Sequence, residues 1–337
     1  MTNFLFLIFP IIILIINYIV KKNFLIPNYS GEIHQKFIGK KEIPLSGGLY
    51  FFLFTMYLFF NQFSFFLVFF FIIFFLGFIS DIRLLTSPKQ RFFLQAFSIL
   101  IFTYYSELNI ELTRMYILDI ILENFFWSCI FTSFCLMILV NGTNFIDGLN
   151  GLVLSYYSIL LIIIFKLGLF EKIYIDDVQI ISLITILFFL IILNFLNQLY
   201  LGDSGSYSIA FLVGFFLLSI YENYSIISPF FIVLLLWYPA FETLFSIIRK
   251  LKLKRSPIYP DNNHFHQLLF LFIKKRFKVT NNKSNNLTSI LIIVYNLIIF
   301  TVATIDIYHS NFQILLILLN VTVYSFLYLR LFKYKIK

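Results

Sequence analysis

The sequence predicts an all-α integral membrane protein of about eleven transmembrane helices. The N-terminus is expected outside, the C-terminus in the cytoplasm and the active site on the cytoplasmic face. Three observations carry this expectation. Of the 337 residues, 61% are hydrophobic and only 12% charged, with a mean hydropathy of +0.93; soluble domains carry about 25% charged residues. That excludes a soluble enzyme, a nucleic-acid-binding domain and a disordered linker. Runs such as Phe65–Phe75 are apolar on every side, whereas a membrane barrel alternates apolar and polar residues. Finally, the net charge of +9 is unevenly distributed along the chain.

A helix needs about 20 apolar residues to cross a bilayer. Apolar runs with at most one charge place the spans at 1–20, 46–60, 62–80, 92–106, 125–141, 149–165, 179–197, 206–221, 226–246, 287–307 and 311–329. The second and third divide one charge-free stretch, Ile43–Ser80, at Asn61-Gln62. Alternating the loops across the membrane leaves only Arg114, Lys166 and Lys172 on one side; every other Lys and Arg falls on the opposite side. Basic loops stay cytoplasmic, which sets the orientation. The positive charge is therefore topological, and no nucleic-acid partner is expected. Met1–Ile16 has no basic segment, so a cleaved signal peptide is not expected. The chain reads as a single polytopic domain over 1–337, with 249–286 as its largest cytoplasmic loop. Cys129 and Cys135 lie six apart on different sides of one helix, too far round to bridge. Trp127 and Trp237 read as packing or interface anchors, and Pro229 and Pro239 as a cap or kink of the ninth span.

Two short cytoplasmic loops lack Lys and Arg. One runs from Asn141 through Asn144, Asp147, Gly148, Leu149 and Asn150 to Gly151; the other is Leu201-Gly202-Asp203-Ser204-Gly205-Ser206. Each holds a carboxylate at the membrane surface, where an unpaired charge costs a few kcal/mol. Asp81 ends the third span on the same face. For any one loop, helix N-capping by Asp and Ser is the alternative. Three carboxylates on one face suit Mg²⁺, which binds through one or two carboxylates plus substrate phosphates. Glycines and helix N-termini beside them suit an anion. The large loop adds Asn263, His264 and His266, and the first cytoplasmic loop adds His34 and Lys36. These are donors for a phosphate or a sugar hydroxyl. A zinc pair at i, i+2 without cysteine is weaker. Such a face suits chemistry between a cytosolic phosphorylated substrate and a membrane lipid.

These motifs resemble, in order, those of the polyprenyl-phosphate N-acetylhexosamine-1-phosphate transferases. His34-Gln-Lys36 followed by Pro44-Leu-Ser-Gly47-Gly48 is similar to the family's first cytoplasmic loop. Gly77-Phe-Ile-Ser80-Asp81, then Ser87-Pro-Lys89 and Gln95, resembles its segment of adjacent aspartates. Asn141, Asn144, Asp147-Gly-Leu-Asn150-Gly-Leu152 and Gly202-Asp-Ser-Gly-Ser206 resemble two further signatures. Pro239-Ala-Phe-Glu242 and Asn263-His-Phe-His266 resemble the family's acidic helix and the histidine loop of members using plain N-acetylhexosamine donors.

The resemblance implies that a UDP-N-acetylhexosamine, by default UDP-GlcNAc, and a polyprenyl phosphate such as undecaprenyl phosphate give a polyprenyl-diphospho-sugar and UMP. This would be the initiating step of a cell-surface glycan at a bacterial plasma membrane. It implies Asp203 as the ligand of Mg²⁺, with Mn²⁺ as an alternative. Asp147 and Asp81 would sit around the diphosphate and the lipid phosphate. Lys36, Gly148, Leu149 and Asn150 would line a uridine pocket, and His264 and His266 would meet the donor phosphates or sugar. Membrane lipid surrounds such a protein, and a homodimer is allowed for. The chain departs from the pattern at Ser80, where the family has the first aspartate of its pair, at Asn150 for a second aspartate, at Glu242 for the commoner Asp, and at Gln267 for a third histidine. Two rivals remain at this stage: a secondary transporter, and a non-catalytic relative in a glycan-assembly complex.

Overall fold

A computed structural model describes residues 5–23, 28–29, 43–254, 256 and 261–336. Among these, the chain forms fourteen α-helices: α1 (Leu5–Asn23), α2 (Gly47–Phe59), α3 (Ser64–Asp81), α4 (Pro88–Ser106), α5 (Tyr116–Leu122), α6 (Phe125–Ile146), α7 (Leu152–Lys166), α8 (Asp177–Phe195), α9 (Gly202–Asn223), α10 (Pro229–Leu235), α11 (Trp237–Lys252), α12 (Phe265–Phe277), α13 (Asn281–Ala303) and α14 (Ser310–Ile336). A two-residue antiparallel pair, Asn28–Tyr29 with Ile43–Pro44, precedes α2.

Each apolar stretch read from the sequence falls on a helix, the ninth on the pair α10–α11. Six of these helices are long and apolar enough to cross a membrane: α3, α6, α8, α9, α13 and α14. The bent pair makes a seventh. The apolar part of α1, and α2 and α7, are shorter, so length and composition alone do not establish eleven crossings. Two helices went unread in the sequence. α5 has only seven residues, and α12 lies inside the large polar loop, where it buries Leu268, Phe270 and Ile273 and ends in Lys274, Lys275 and Arg276.

α9 is the centre of the bundle. It packs against α2, α3 and α6, and every residue from Ser204 to Ile220 is buried. Its first turns carry Ser204, Gly205, Ser206 and Ser208, and these small side chains let neighbouring backbones approach. A side chain on Gly77 of α3 would run into the Ser204 backbone. The segment before α2 is tied to the start of α9 through its backbone. Gly47 and Gly48 donate to the carbonyls of Tyr200 and Leu201 at 2.9 and 3.0 Å, and Tyr200 donates to Pro44 at 2.9 Å. At the opposite end of the bundle, Arg114 fastens the loop after α9 to the α13–α14 turn. It donates to the carbonyls of Ile226 and Tyr308 at 2.8 and 2.7 Å.

The expected kink of the ninth span is a break. Pro229 occupies the first turn of α10, and the axes of α10 and α11 meet at 76°. Pro239 lies in the first turn of α11 and has no N–H to give the carbonyl four residues back. Both cysteines are free; Cys129 is buried and Cys135 half-buried. Trp237 is buried and donates to Asn296 Oδ1 at 2.9 Å, whereas Trp127 faces outward.

Candidate active site

The candidate residues meet where the C-terminal ends of α3 and α6 reach the N-terminal end of α9. Asp81 ends α3, and its carboxylate accepts the backbone N–H groups of Asp203 and Ser204 at 2.8 and 3.0 Å. It thus caps the helix that follows the second Gly-rich loop, a favourable place for negative charge. Gly202 makes that contact possible. Its φ is +76°, a conformation that other residues adopt at a cost, and a Cβ there would press on the Asp81 carboxylate at 2.8 Å.

Asp203, in the first turn of α9, has both oxygens engaged. Oδ1 accepts Asn144 Nδ2 at 2.7 Å, and Oδ2 accepts Ser80 Oγ at 2.7 Å and the guanidinium of Arg91 in α4. The same Arg91 nitrogen donates to Ser80 Oγ. Asn144 also reaches Ser206 Oγ at 3.1 Å. Asp147 closes the end of α6, its N–H held by Thr143 and Asn144. Desolvation, reinforced by the charges of Asp203 and Asp81, pushes its carboxyl well above the usual carboxylate range. The three carboxylates therefore form one electrostatic unit short of positive charge.

The histidine loop is built as a separate unit and docked on α6. Glu242 of α11 is fully buried. It accepts Tyr324 Oη of α14 at 2.6 Å, His264 Nδ1 at 2.9 Å and the Phe265 N–H at 3.3 Å. His264 Nε2 lies 3.5 Å from Asp261 Oδ1. Arg249 Nη2 donates to both oxygens of Asp261 at 2.9 and 2.8 Å. Desolvation would raise the Asp261 carboxyl, but Arg249 and then His264 and Lys250 outweigh it and hold it below the usual range. Lys335 reaches Asn263 Oδ1 at 2.7 Å, and Tyr328 donates to the Asn263 carbonyl at 3.0 Å. The His264 ring lies 5.4 Å from that of Phe145 and stacks on His266 at 5.8 Å. His266 is fully buried against Gly148, and neither ring nitrogen has a partner among the described residues. Burial, helped by His264, pushes its pKa down to about 3, so the ring is neutral.

The structure thus brings together Asp81, Asp147, Asp203, Asn144, Gly148, His264 and His266. Asn263 is held by the α14 contacts. Leu149 is buried in the core. Two expected ligand residues turn toward protein instead. Asn150 is buried, and its Nδ2 donates to Asn197 Oδ1 at 2.9 Å and Asn286 Oδ1 at 3.3 Å, while its N–H meets Asn285 Oδ1 at 2.7 Å. Asn141 Nδ2 is held by the Met137 carbonyl at 2.9 Å and faces Gln95 Oε1 at 3.4 Å. His34 and Lys36 lie outside the described residues. Sequence reasoning missed Arg91, although it is one of only two basic residues on the otherwise uncharged α4. It also missed Tyr324, Tyr328 and Lys335, which nothing in their local sequence marks.

Residues 63–221 match the profile of the family described as glycosyl transferase family 4. That match shows what the segment is similar to, glycosyl transferase family 4, over a little under half of the chain. The segment contains Asp81, Arg91, Asn144, Asp147 and Asp203; the histidine loop lies beyond it. The chain is also similar in part to the decaprenyl-phosphate N-acetylglucosaminephosphotransferase of Mycolicibacterium smegmatis. The two are 31% identical over 153 residues, 39% of this chain and 37% of the relative. A probable undecaprenyl-phosphate N-acetylglucosaminyl 1-phosphate transferase of Bacillus subtilis is 32% identical over 139 residues, 40% of this chain and 38% of the relative. The Mycobacterium leprae decaprenyl-phosphate N-acetylglucosaminephosphotransferase is 29% identical over 159 residues, 39% and 38% of the two chains. The chain matches well under half the length of these curated relatives.

In the matched segment the oxygen donors of Asp81, Asp147 and Asp203 are of the type that a hard divalent cation takes. One of these carboxylates, Asp203, already holds the positive charge of Arg91. Among the described residues no three His, Cys, Asp or Glu side chains are grouped so that together they could hold a metal ion. Mg²⁺ needs no such group when substrate phosphates and water complete its shell.

Proposed function

We propose that this protein transfers N-acetylhexosamine-1-phosphate from a UDP-sugar to a polyprenyl phosphate, releasing UMP. The observation that carries the reading is the meeting of Asp81, Asp147 and Asp203 with the histidine loop at one end of the bundle, in a chain whose residues 63–221 match the profile of glycosyl transferase family 4. The named activities of the relatives point to N-acetylglucosamine as the sugar and to a polyprenyl phosphate as acceptor. The proposed setting is a bacterial plasma membrane crossed eleven times, with the carboxylates on the cytoplasmic side where most Lys and Arg lie.

The chemistry asks little of a general base. A phosphate monoester has its second pKa near 6, so the lipid phosphate is largely ionised at neutral pH. Its oxygen attacks the sugar-bearing phosphorus, a P–O bond forms, and UMP departs with the electron pair of the broken P–O bond. The protein's task is to bring two polyanions together and hold them in line. Asp203 would hold Mg²⁺, or Mn²⁺ in its place, which would neutralise the diphosphate, with Asp147 beside it. His264 is held between Glu242 at Nδ1 and Asp261 at Nε2, and neutral His266, whose ring nitrogens have no partner among the described residues, can donate from one of them without adding charge. Direct displacement is favoured over an aspartyl intermediate, since Asp81 is spent on the α9 backbone.

The test is transfer of radiolabel from a panel of UDP-sugars to undecaprenyl phosphate with Mg²⁺, using purified protein. Lipid-linked product with UMP release, lost in Asp203→Asn, is the expected result. No product with any donor, from folded protein, would overturn the reading.

A further inference from the structure

We propose that Arg91 is a built-in cation on Asp203, and that a divalent cation reaches that carboxylate only by displacing the guanidinium. The inference rests on the reading above that Asp203 is the cation ligand. Three features of the site carry it. Asp203 Oδ2 accepts two donors, Ser80 Oγ at 2.7 Å and Arg91 Nη1, while Oδ1 is held by Asn144 at 2.7 Å. A cation must therefore break a charge-assisted bond before it can take Oδ2. The pair is not sealed in the bundle: the Arg91 and Asp203 side chains are 24% and 27% exposed, so exchange needs no unpacking of the core.

The third feature is Ser80. A carboxylate at this position would share the guanidinium with Asp203 and leave each oxygen less committed. A hydroxyl cannot. Ser80 Oγ instead accepts from Arg91 while donating to Asp203, which locks the three groups into one small ring of hydrogen bonds. Arg91 is committed to Asp203 because Ser80 offers it no competing charge. The consequence is a site with weak affinity for the free metal ion, since each ion bound costs one ion pair.

The experiment measures Mn²⁺ binding alone, by loss of the free-ion electron paramagnetic resonance signal, on full-length protein in detergent. Arg91→Gln should bind Mn²⁺ about tenfold more tightly than the wild type, because the competing charge and its hydrogen bonds are gone. Arg91→Lys, which keeps the charge, should stay near the wild type. Ser80→Ala, a change too small to threaten folding, should tighten binding about threefold by loosening Arg91. Unchanged or weaker Mn²⁺ binding in both Arg91→Gln and Ser80→Ala, or no binding in any variant, overturns the proposal. Asp203→Asn separates the two readings. If it abolishes binding while Arg91→Gln changes nothing, Asp203 is the ligand and Arg91 no competitor. If it leaves Mn²⁺ binding intact, the cation is elsewhere and both readings fall.

Discussion

The hydroxyl of Tyr156 in α7 donates at 2.8 Å to the carbonyl of Leu235, the last residue of α10. In a continuous helix that carbonyl would take the N–H of residue 239, which is Pro239 and has none. Tyr156 therefore supplies the hydrogen bond that the broken span lacks. The bond is fully buried, and both residues are without solvent contact.

Tyr156→Phe should cost about 1–3 kcal/mol, because it leaves a buried carbonyl unpaired. Thermal unfolding in detergent would show it as a lowered midpoint. In a Pro239→Ala background the new N–H can serve Leu235, so the cost of Tyr156→Phe should shrink. An equal loss in both backgrounds would place the effect in packing of the ring instead.

Gly202→Ala should lower both stability and transfer. The left-handed backbone at φ +76° costs an alanine roughly 1–2 kcal/mol, and its methyl would press on the Asp81 carboxylate. Displacing Asp81 uncaps α9 at the turn that carries Asp203. A variant with wild-type melting and wild-type turnover would contradict this account of the loop.

His266 gives the stability a pH dependence with a definite sign. The native ring holds its proton only near pH 3, whereas the unfolded ring titrates at its ordinary value of 6.5. Between these values the unfolded state binds more protons. Stability from His266 is thus present above about pH 6.5 and is lost as the pH falls, by up to about 1.4 kcal/mol per unit. Asp147 acts oppositely: its raised carboxyl favours the native state at low pH, and this contribution fades as the pH rises. The comparison of wild type with His266→Gln between pH 7.5 and 5 isolates the histidine. The variant should show the shallower acid loss, and parallel curves would refute the assignment.

Glu242→Gln should be among the most damaging single changes outside the carboxylate cluster. It removes the charge from a fully buried group that serves His264, Phe265 and Tyr324, and disrupting a buried pair costs about 3–5 kcal/mol. Tyr324→Phe removes one of the three bonds and should cost about 1.5–3 kcal/mol. If His264 meets the sugar nucleotide, Tyr324→Phe raises the KM for the donor more than it lowers kcat. Equal effects on both would make the role of Tyr324 purely structural.

The helices and the three carboxylates were legible for the same physical reason. A bilayer penalises charge so heavily that each apolar run and each surviving Asp stands out. Asp81, Asp147 and Asp203 were found because so few carboxylates border these runs. What each one does there was less visible. Asp81 reads as a possible ligand in sequence, yet its oxygens serve the α9 backbone from 122 and 123 positions away. The partnership of Arg91 with Asp203 spans 112 positions, and no local pattern encodes it. Asn150 shows the converse. An amide in a ligand-like turn gives no sign that Asn197 and Asn286 will occupy it, because amides pair with one another as readily as with a nucleotide. The helix α12 was hidden by its polar surroundings and short length.

The contacts from Tyr324, Tyr328 and Lys335 to the histidine loop also set an order of assembly. A chain emerging from the ribosome presents Asp81, Asp147 and Asp203 long before α14 exists. His264 is translated with its loop, but Glu242 and Asn263 gain their full set of partners only once the final helix is inserted. The carboxylate half of the site can form early, while the histidine half waits for the end of synthesis. A nascent chain is thereby kept from presenting both halves together until its last helix is in place.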